Sequence, residues 1–433
     1  MSDDTSAAVG LGSAIAPDDG ESVALAPAPV REANRITSLD FIRGIAVMGI
    51  LGANIITFGQ PAMASASPDG FLTDAGDADG WWWLAQFVLI DGKMRALFTL
   101  LFGAGLYLFM ERAWERGSGI GLQAQRLGWL ALFGLIHFYF IWSGDILFHY
   151  AICGLACIFI VKESVKTQFA IGLTGYVFGS LVGIAMYGAL YGFAQMDVSN
   201  NPELLEVQAK MTAGFKADAG AVAAIKAGDY AGFLGHNFTE MWYFPFANVP
   251  NFFVETASLI LLGMALYRMG FFSGGIEREQ MLLWGWISLI AGTLLSLAIG
   301  LFTLDLGLDL YSVSWAMVGL SMPPRLAMAL GLAALLVVYS PGWGGWLAER
   351  VRAAGRAAFT NYLGTSILML FVFHGWALGL FGKLSRPELY LVVLATWVIM
   401  LAWSKPWLDR YRYGPLEWLW RCLTYRKRFA IRR

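Results

Sequence analysis

Charge is scarce in this sequence. Asp, Glu, Lys and Arg make up 14% of its 433 residues, against about a quarter in ordinary soluble domains. Cysteine is scarcer still, with three residues, which excludes a disulfide framework. Cys153 and Cys157 lie one helical turn apart in an apolar run and read as packing residues, while Cys422 falls in a basic tail. Soluble-enzyme signatures are also missing. There is no G-x-x-x-x-G-K-[ST] phosphate loop, no dinucleotide fingerprint between a strand and a helix, and no H-E-x-x-H. No basic stretch leads a short apolar region with a cleavage site, so the first span is expected to direct insertion itself.

What is present is apolar. Hydrophobic residues reach 58%, with 18 Trp and 50 Gly, and mean hydropathy is +0.58. Apolar runs near the 20 or so residues that cross a bilayer recur along the chain. They predict an all-α, polytopic helical membrane protein of about ten transmembrane helices around a central cavity. The expected spans cover 36–58, 96–110, a third ending near 143, a fourth ending at 162, then 168–191, 244–267, 281–302, 323–339, 359–381 and 389–407. Residues 1–34, rich in Ala, Pro, Ser, Gly and Asp, are expected to be a disordered cytoplasmic tail. The segment 35–191 forms an N-terminal five-helix half and 241–408 a C-terminal one. Between them, 192–240 is expected to hold one or two amphipathic helices outside the bilayer, and 409–433 is a basic cytoplasmic tail. Lys and Arg cluster in alternate connections, and nine fall between Lys405 and Arg433. That bias places both termini in the cytoplasm and the protein in a bacterial inner membrane, its tail against anionic lipid. Gly-rich runs such as 101–105 read as close helix packing.

Ionisable side chains inside hydrocarbon are costly and mark cavities or partners. Asp40 and Arg43 share a helix face at the start of the first span and are spaced to pair, with Asn54 eleven residues further on. Asp40 also suits a helix start, and Arg43 could snorkel to the interface. With Arg325 they form the expected cytoplasmic end. His137 stands in the outer half of the third span. Asp145 and His149, four apart, are expected to share a face of the fourth and to hydrogen-bond; capping by Asp145 is the plainer alternative. Glu255 sits near the middle of the sixth span. With Asp91, Arg95 and His374 it is expected to line a substrate cavity. Asp145, His149 and Cys153 drift around their helix, and no metal site is expected.

Several blocks carry a resemblance: 39–50 (LDFIRGIAVMGI) with Asn54, 91–103 (DGKMRALFTLLFG), 144–147, 360–363 (TNYL) and 412–421 (RYGPLEWLWR). Together they resemble the YeiB-type family of bacterial inner-membrane proteins across nearly the whole chain. The first span is similar to that of the transmembrane acyltransferases, which include acyltransferase-3 proteins and the lysosomal heparan glucosaminide N-acetyltransferase. That resemblance implies an acyl group taken from a cytoplasmic donor such as acetyl-CoA and passed to an acceptor across the membrane. Acyltransferase-3 proteins carry an essential His at the spacing held here by Asn54. The heparan enzyme has Asn there and a reactive His shortly after it. This chain has no His between Asn54 and His137.

Two functions follow as expectations. In acyl transfer, His149 oriented by Asp145, or His137 beside it, acts as base or acyl carrier, and Arg43 held by Asp40 meets the donor's phosphates, with Asn54 nearby. The donor is acetyl-CoA or another acyl-CoA, and the acceptor a small molecule, lipid or glycan. The alternative is a proton-coupled transporter using a protonatable Glu255 in the same cavity. Membrane lipid is an expected partner and a homodimer is allowed for; nucleic acid is not expected.

Overall fold

The computed structural model describes residues 37–73, 78–215 and 219–433, and of 212–215 the backbone alone. The expected tail 1–34 and the loop acids Asp74 and Asp77 lie outside the described residues. Described secondary structure is helical, apart from one isolated bridge between Tyr411 and Arg432. In chain order the helices are α1 (Thr37–Gly59), α2 (Asp79–Leu89), α3 (Lys93–Trp114), α4 (Ile120–Phe140), α5 (Leu147–Cys157) and α6 (Val165–Ala194). Then come α7 (Pro202–Phe215), α8 (Ala219–Ala227), α9 (Tyr230–Thr239), α10 (Phe244–Ala247), α11 (Val249–Arg268) and α12 (Arg278–Asp305). The chain closes with α13 (Leu310–Ser314), α14 (Met322–Tyr339), α15 (Gly345–Arg356), α16 (Ala358–Phe373), α17 (Arg386–Arg410) and α18 (Pro415–Tyr425).

This is an all-α polytopic membrane protein. Six helices (α1, α6, α11, α12, α14 and α17) are long and apolar enough to cross a bilayer on those grounds. A seventh crossing results if α15 and α16, bent by 87°, count as one broken span. The other expected spans fall on α3, α4 and α5, which are more polar or shorter. Burial sorts the long helices into two rings. More than half of the apolar stretch of α1, α11 and α14 is buried in protein, against about a quarter for α6, α12 and α17. Leu181, Leu283, Trp284, Leu294 and Val398 of the outer ring therefore face the lipid.

Packing interleaves the two sequence halves: α11 lies on both α3 and α6, and α1 on α15 and α17. Where α3 meets α11 the backbones touch. A Cβ at Gly103 would stand 2.1 Å from the Ile260 carbonyl oxygen, and one at Gly263 equally close to that of Leu100.

Three expectations are corrected. The expected span 96–110 is too short, since α3 runs from Lys93 to Trp114 and α4 begins at Ile120, leaving only 115–119 as the connection between them. The segment 192–240 holds three helices, α7 to α9, rather than one or two. The ninth expected span stops at Phe373: His374 is extended, Gly375 N–H bonds to the Ile225 carbonyl, and Gly379 and Gly382 take positive φ. Glycine alone adopts that backbone cheaply, so the chain turns there and does not continue the helix.

One end of the bundle carries the starts of α1, α4 and α12, the ends of α3, α11 and α14, and α18 with the basic tail. It is called the basic face below. The other end, capped by α2 and α7 to α10, is the opposite face.

Candidate functional site

A cavity of about 350 Å³ opens at the basic face between α1, α3, α4, α16 and α18. Its mouth is cationic. Arg112 and Arg116 from the end of α3, Arg126 from α4, Arg356 beside the α15–α16 bend, and Arg412 and Arg421 from the tail all line it, with Arg43 deeper in. Two carboxylates accompany these seven guanidinium groups. Asp40 accepts a hydrogen bond from Arg43 at 3.2 Å, at the i, i+3 spacing the sequence shows. Glu417 accepts from the Phe359 and Thr360 amides at 2.8 and 3.2 Å and from Thr360 Oγ1 at 2.5 Å, so α18 caps the start of α16. Burial pushes the Glu417 carboxyl above the usual carboxylate range despite these bonds. Arg126 is held between the rings of Phe109 and Trp420, at 4.6 and 4.4 Å.

Inward, the lining turns apolar: Phe98, Leu101, Phe102, Leu130 and Leu147, ending at Tyr150, Ile146 and Tyr362. From Arg112 back to Phe98, α3 rises about 21 Å, so the cavity reaches well into the bilayer.

Behind that floor lies the one expected catalytic residue with a carboxylate partner. His137 is fully buried, its Nδ1 2.8 Å from Asp145 Oδ1. Asp145 Oδ2 accepts from Phe148 N–H at 2.8 Å, which caps α5. The carboxylate only accepts, so a neutral imidazole carries its proton on Nδ1 and leaves a lone pair on Nε2. Nε2 has no hydrogen-bond partner among the described residues. The Tyr362 ring, part of the cavity wall, stands 5.3 Å from the imidazole. The Asp145 carboxylate thus serves His137 across the α4–α5 turn, and His149, four residues on, meets the Asp145 backbone instead of its carboxylate. Asp145 precedes α5 instead of lying on it, and its side chain turns back to α4. His149 packs against Phe252, ring centroids 5.1 Å apart, with Nε2 unpartnered.

The remaining expected residues do not join this cavity. Both oxygens of Glu255 are taken, by Arg95 Nη2 and Arg325 Nη1 at 2.6 Å each. Arg325 also donates to Ser321 Oγ at 2.8 Å and to the Met317 carbonyl, which the π-helical turn at 315–320 frees. It therefore belongs to the opposite half of the bundle and not with Asp40 and Arg43. Asp91 accepts from Gln86, whose Oε1 accepts from Arg386, and Arg386 pairs with Asp79 at 2.7 Å. His374 sits among Tyr230, Phe233 and Trp376 at the opposite face. Asn54 is half-buried outside the cavity. The network still touches the cavity floor: Thr99 Oγ1 donates to the Arg95 carbonyl and stands 2.6 Å from Tyr150 OH.

The chain matches the model of a family described as protein of unknown function (DUF418) over residues 266–427. It is 31% identical over 404 residues to the uncharacterized protein YeiB of Escherichia coli K12, covering 90% of this chain and 97% of that one. This chain belongs to the YeiB-like DUF418 family. It is also 29% identical to the uncharacterized protein YxaH of Bacillus subtilis 168 over 419 residues, with 92% and 96% covered. An uncharacterized 39.9 kDa protein from Bacillus acidopullulyticus matches at 26% identity over 415 residues, with 93% and 97% covered. No solved structure matches. In this YeiB-like chain the family model spans α18 and most of the arginines of the C-terminal half. Sequence reasoning passed over its cavity arginines, Arg356, Arg412 and Arg421, as site residues because each reads singly as a cytoplasmic-loop charge; only folding gathers them. Asp79 and Arg386, 307 residues apart, gave no signal at all.

Proposed function

We propose that this chain is an integral-membrane acyltransferase that takes an acyl group from a cytoplasmic acyl-CoA. The observation that carries the reading is the cavity: seven lining arginines, six of them at its mouth, a depth of about 21 Å whose lining turns apolar inward, and a His–Asp pair behind its floor. An acyl-CoA has the matching charge distribution, with an anionic polyphosphate head and a long, uncharged arm ending in the thioester. The alternate-loop bias puts the basic face in the cytoplasm of a bacterial inner membrane, with both termini there. The head then meets the arginines and the thioester lies near Tyr150 and Tyr362. His137 Nε2 takes the proton from an acceptor hydroxyl or amine, and the acceptor atom attacks the thioester carbonyl. The C–S bond breaks, the imidazolium returns its proton to the leaving thiolate, and Asp145 stabilises the imidazolium meanwhile. The acceptor is a small molecule, lipid or glycan reaching His137 from the membrane or its outer side. Proton-coupled transport through Glu255 is not carried forward, because two guanidinium groups occupy its carboxylate.

The test is transfer of a labelled acetyl group from acetyl-CoA to membrane extracts by the purified protein. His137→Ala is expected to abolish transfer and His149→Ala to retain it, with both variants folded. Transfer unaffected by His137→Ala would contradict the assignment.

A further inference from the structure

Two rings flank the imidazole of His137. Toward the cavity stands Tyr362, 5.3 Å away and tilted by 60°, its hydroxyl accepting one long hydrogen bond (3.4 Å) from Ile146 N–H. Toward the opposite face stands Trp142, 6.0 Å away at 63°. Trp142 belongs to the turn after α4, so it is one step beyond His137 on the way out of the bundle. Its indole stacks on Phe58 at 4.1 Å and folds back over Gly144, where a Cβ would lie 2.2 Å from Cζ2. Trp142 is half-buried, so its far side reaches the surface. The imidazole is fully buried, and its Nε2 has no hydrogen-bond partner among the described residues. A buried, unpaired imidazole nitrogen has a desolvation cost, which His149 Nε2 shares; what sets His137 apart is its carboxylate partner and its place behind the cavity floor.

We infer that Tyr362 and Trp142 are two gates on one histidine, Tyr362 admitting the group held in the cavity and Trp142 admitting a second reactant from the opposite face. Tyr362 is held by packing in the core between α4, α5 and α16 and by one long hydrogen bond, and Trp142 by stacking on Phe58, so no strong polar bond fixes either ring. Displacing either opens His137 to one side while the other ring stays closed. For the transfer proposed above, on which the roles of the two reactants rest, this order keeps water from the thioester while the acceptor side is shut. It also places acceptor entry between Phe58 and the α4–α5 turn, away from the cationic mouth.

The gates are tested without any assay of activity, by diethylpyrocarbonate labelling of the full-length protein in detergent, followed by peptide mass spectrometry at His137. The wild-type residue is expected to react slowly. Tyr362→Ala and Trp142→Ala are each expected to raise its rate about tenfold, as local exposure of a protected group does. Tyr362→Phe and Trp142→Phe keep a ring and are expected to stay protected, which separates gating from unfolding. Gly144→Ala, which displaces the indole without removing it, is expected to behave like Trp142→Ala. Wild-type labelling as fast as that of the denatured chain, or an unchanged rate in either alanine variant, overturns the two-gate inference. Added acetyl-CoA is expected to protect His137 in Tyr362→Ala and not in Trp142→Ala. Loss of that difference, with the gate effects intact, contradicts the acyl-CoA reading alone.

Discussion

Gly134 makes the His–Asp pair possible. It lies on α4 one turn before His137, and a Cβ there would stand 2.4 Å from Phe148 N and 2.8 Å from Asp145 Oδ2. Gly134→Ala is expected to push the start of α5 away, separate Asp145 from His137 and cost about 1–3 kcal/mol, read as a lowered melting temperature in detergent. Glu255 is the other residue on which much depends, since it joins α3, α11 and α14 through two guanidinium groups. Glu255→Ala leaves the buried Arg325 and the half-buried Arg95 without their anion and is expected to cost about 3–5 kcal/mol in the same measurement. At this scale the sequence was legible in residue type more than in pairing. The intramembrane Asp145, His137 and Glu255 stand out by charge alone. Their partners do not, because Asp145 lies before the helix that the spacing places it on, and Arg325 is 70 residues from Glu255.

Among the elements, α18 contributes most to the cavity for its length. It supplies Glu417, Trp420, Arg421, Thr424 and Tyr425 to one wall. Three further bonds hold the tail: Trp420 Nε1 donates to the Arg126 carbonyl, Gln125 Nε2 to that of Leu423, and Trp418 Nε1 to that of Phe429. Glu417 pins α18 to α16. Glu417→Ala removes the acceptor for two amides and a hydroxyl, and is expected to cost about 1–3 kcal/mol and to expose the tail to limited proteolysis. Glu417→Gln keeps an acceptor for the amides and a donor for Thr360, and is expected to stay protected. Because the folded state holds the Glu417 carboxyl above its unfolded value, the folded chain binds that proton more tightly. Its contribution is therefore fully present below the unfolded value and lost as pH rises through the raised one. Tail protection is accordingly expected to be greater in mild acid than at neutral pH in the wild type, and flat across that window in Glu417→Gln. The elements themselves were largely legible, since long apolar runs have no other stable state in lipid. What escaped was set by glycine or by polarity: the end of α16 at Phe373, and the helical turns of α3 and α4 that carry charge at the basic face.

Across the whole molecule, charge is layered. The arginine-lined cavity occupies the basic face and the Arg95–Glu255–Arg325 cluster the opposite half, and Thr99 and Tyr150 join them where α3 meets α5. Helix α3 carries both layers, with α1 in the cavity and α11 and α14 in the cluster, while α6, α12 and α17 are the more lipid-exposed helices. The all-α membrane class could be read from composition, but the lining of the cavity could not. Its arginines come from α1, α3, α4, the α15–α16 bend and the tail, and no local pattern announces their convergence. The most direct test is equilibrium binding of acetyl-CoA to the purified full-length protein, with Arg412→Gln/Arg421→Gln beside the wild type. Saturable binding that weakens by about tenfold or more in the double variant is predicted, as expected on losing charge-assisted bonds to phosphate. No saturable binding, or binding indifferent to those two arginines, would contradict the account.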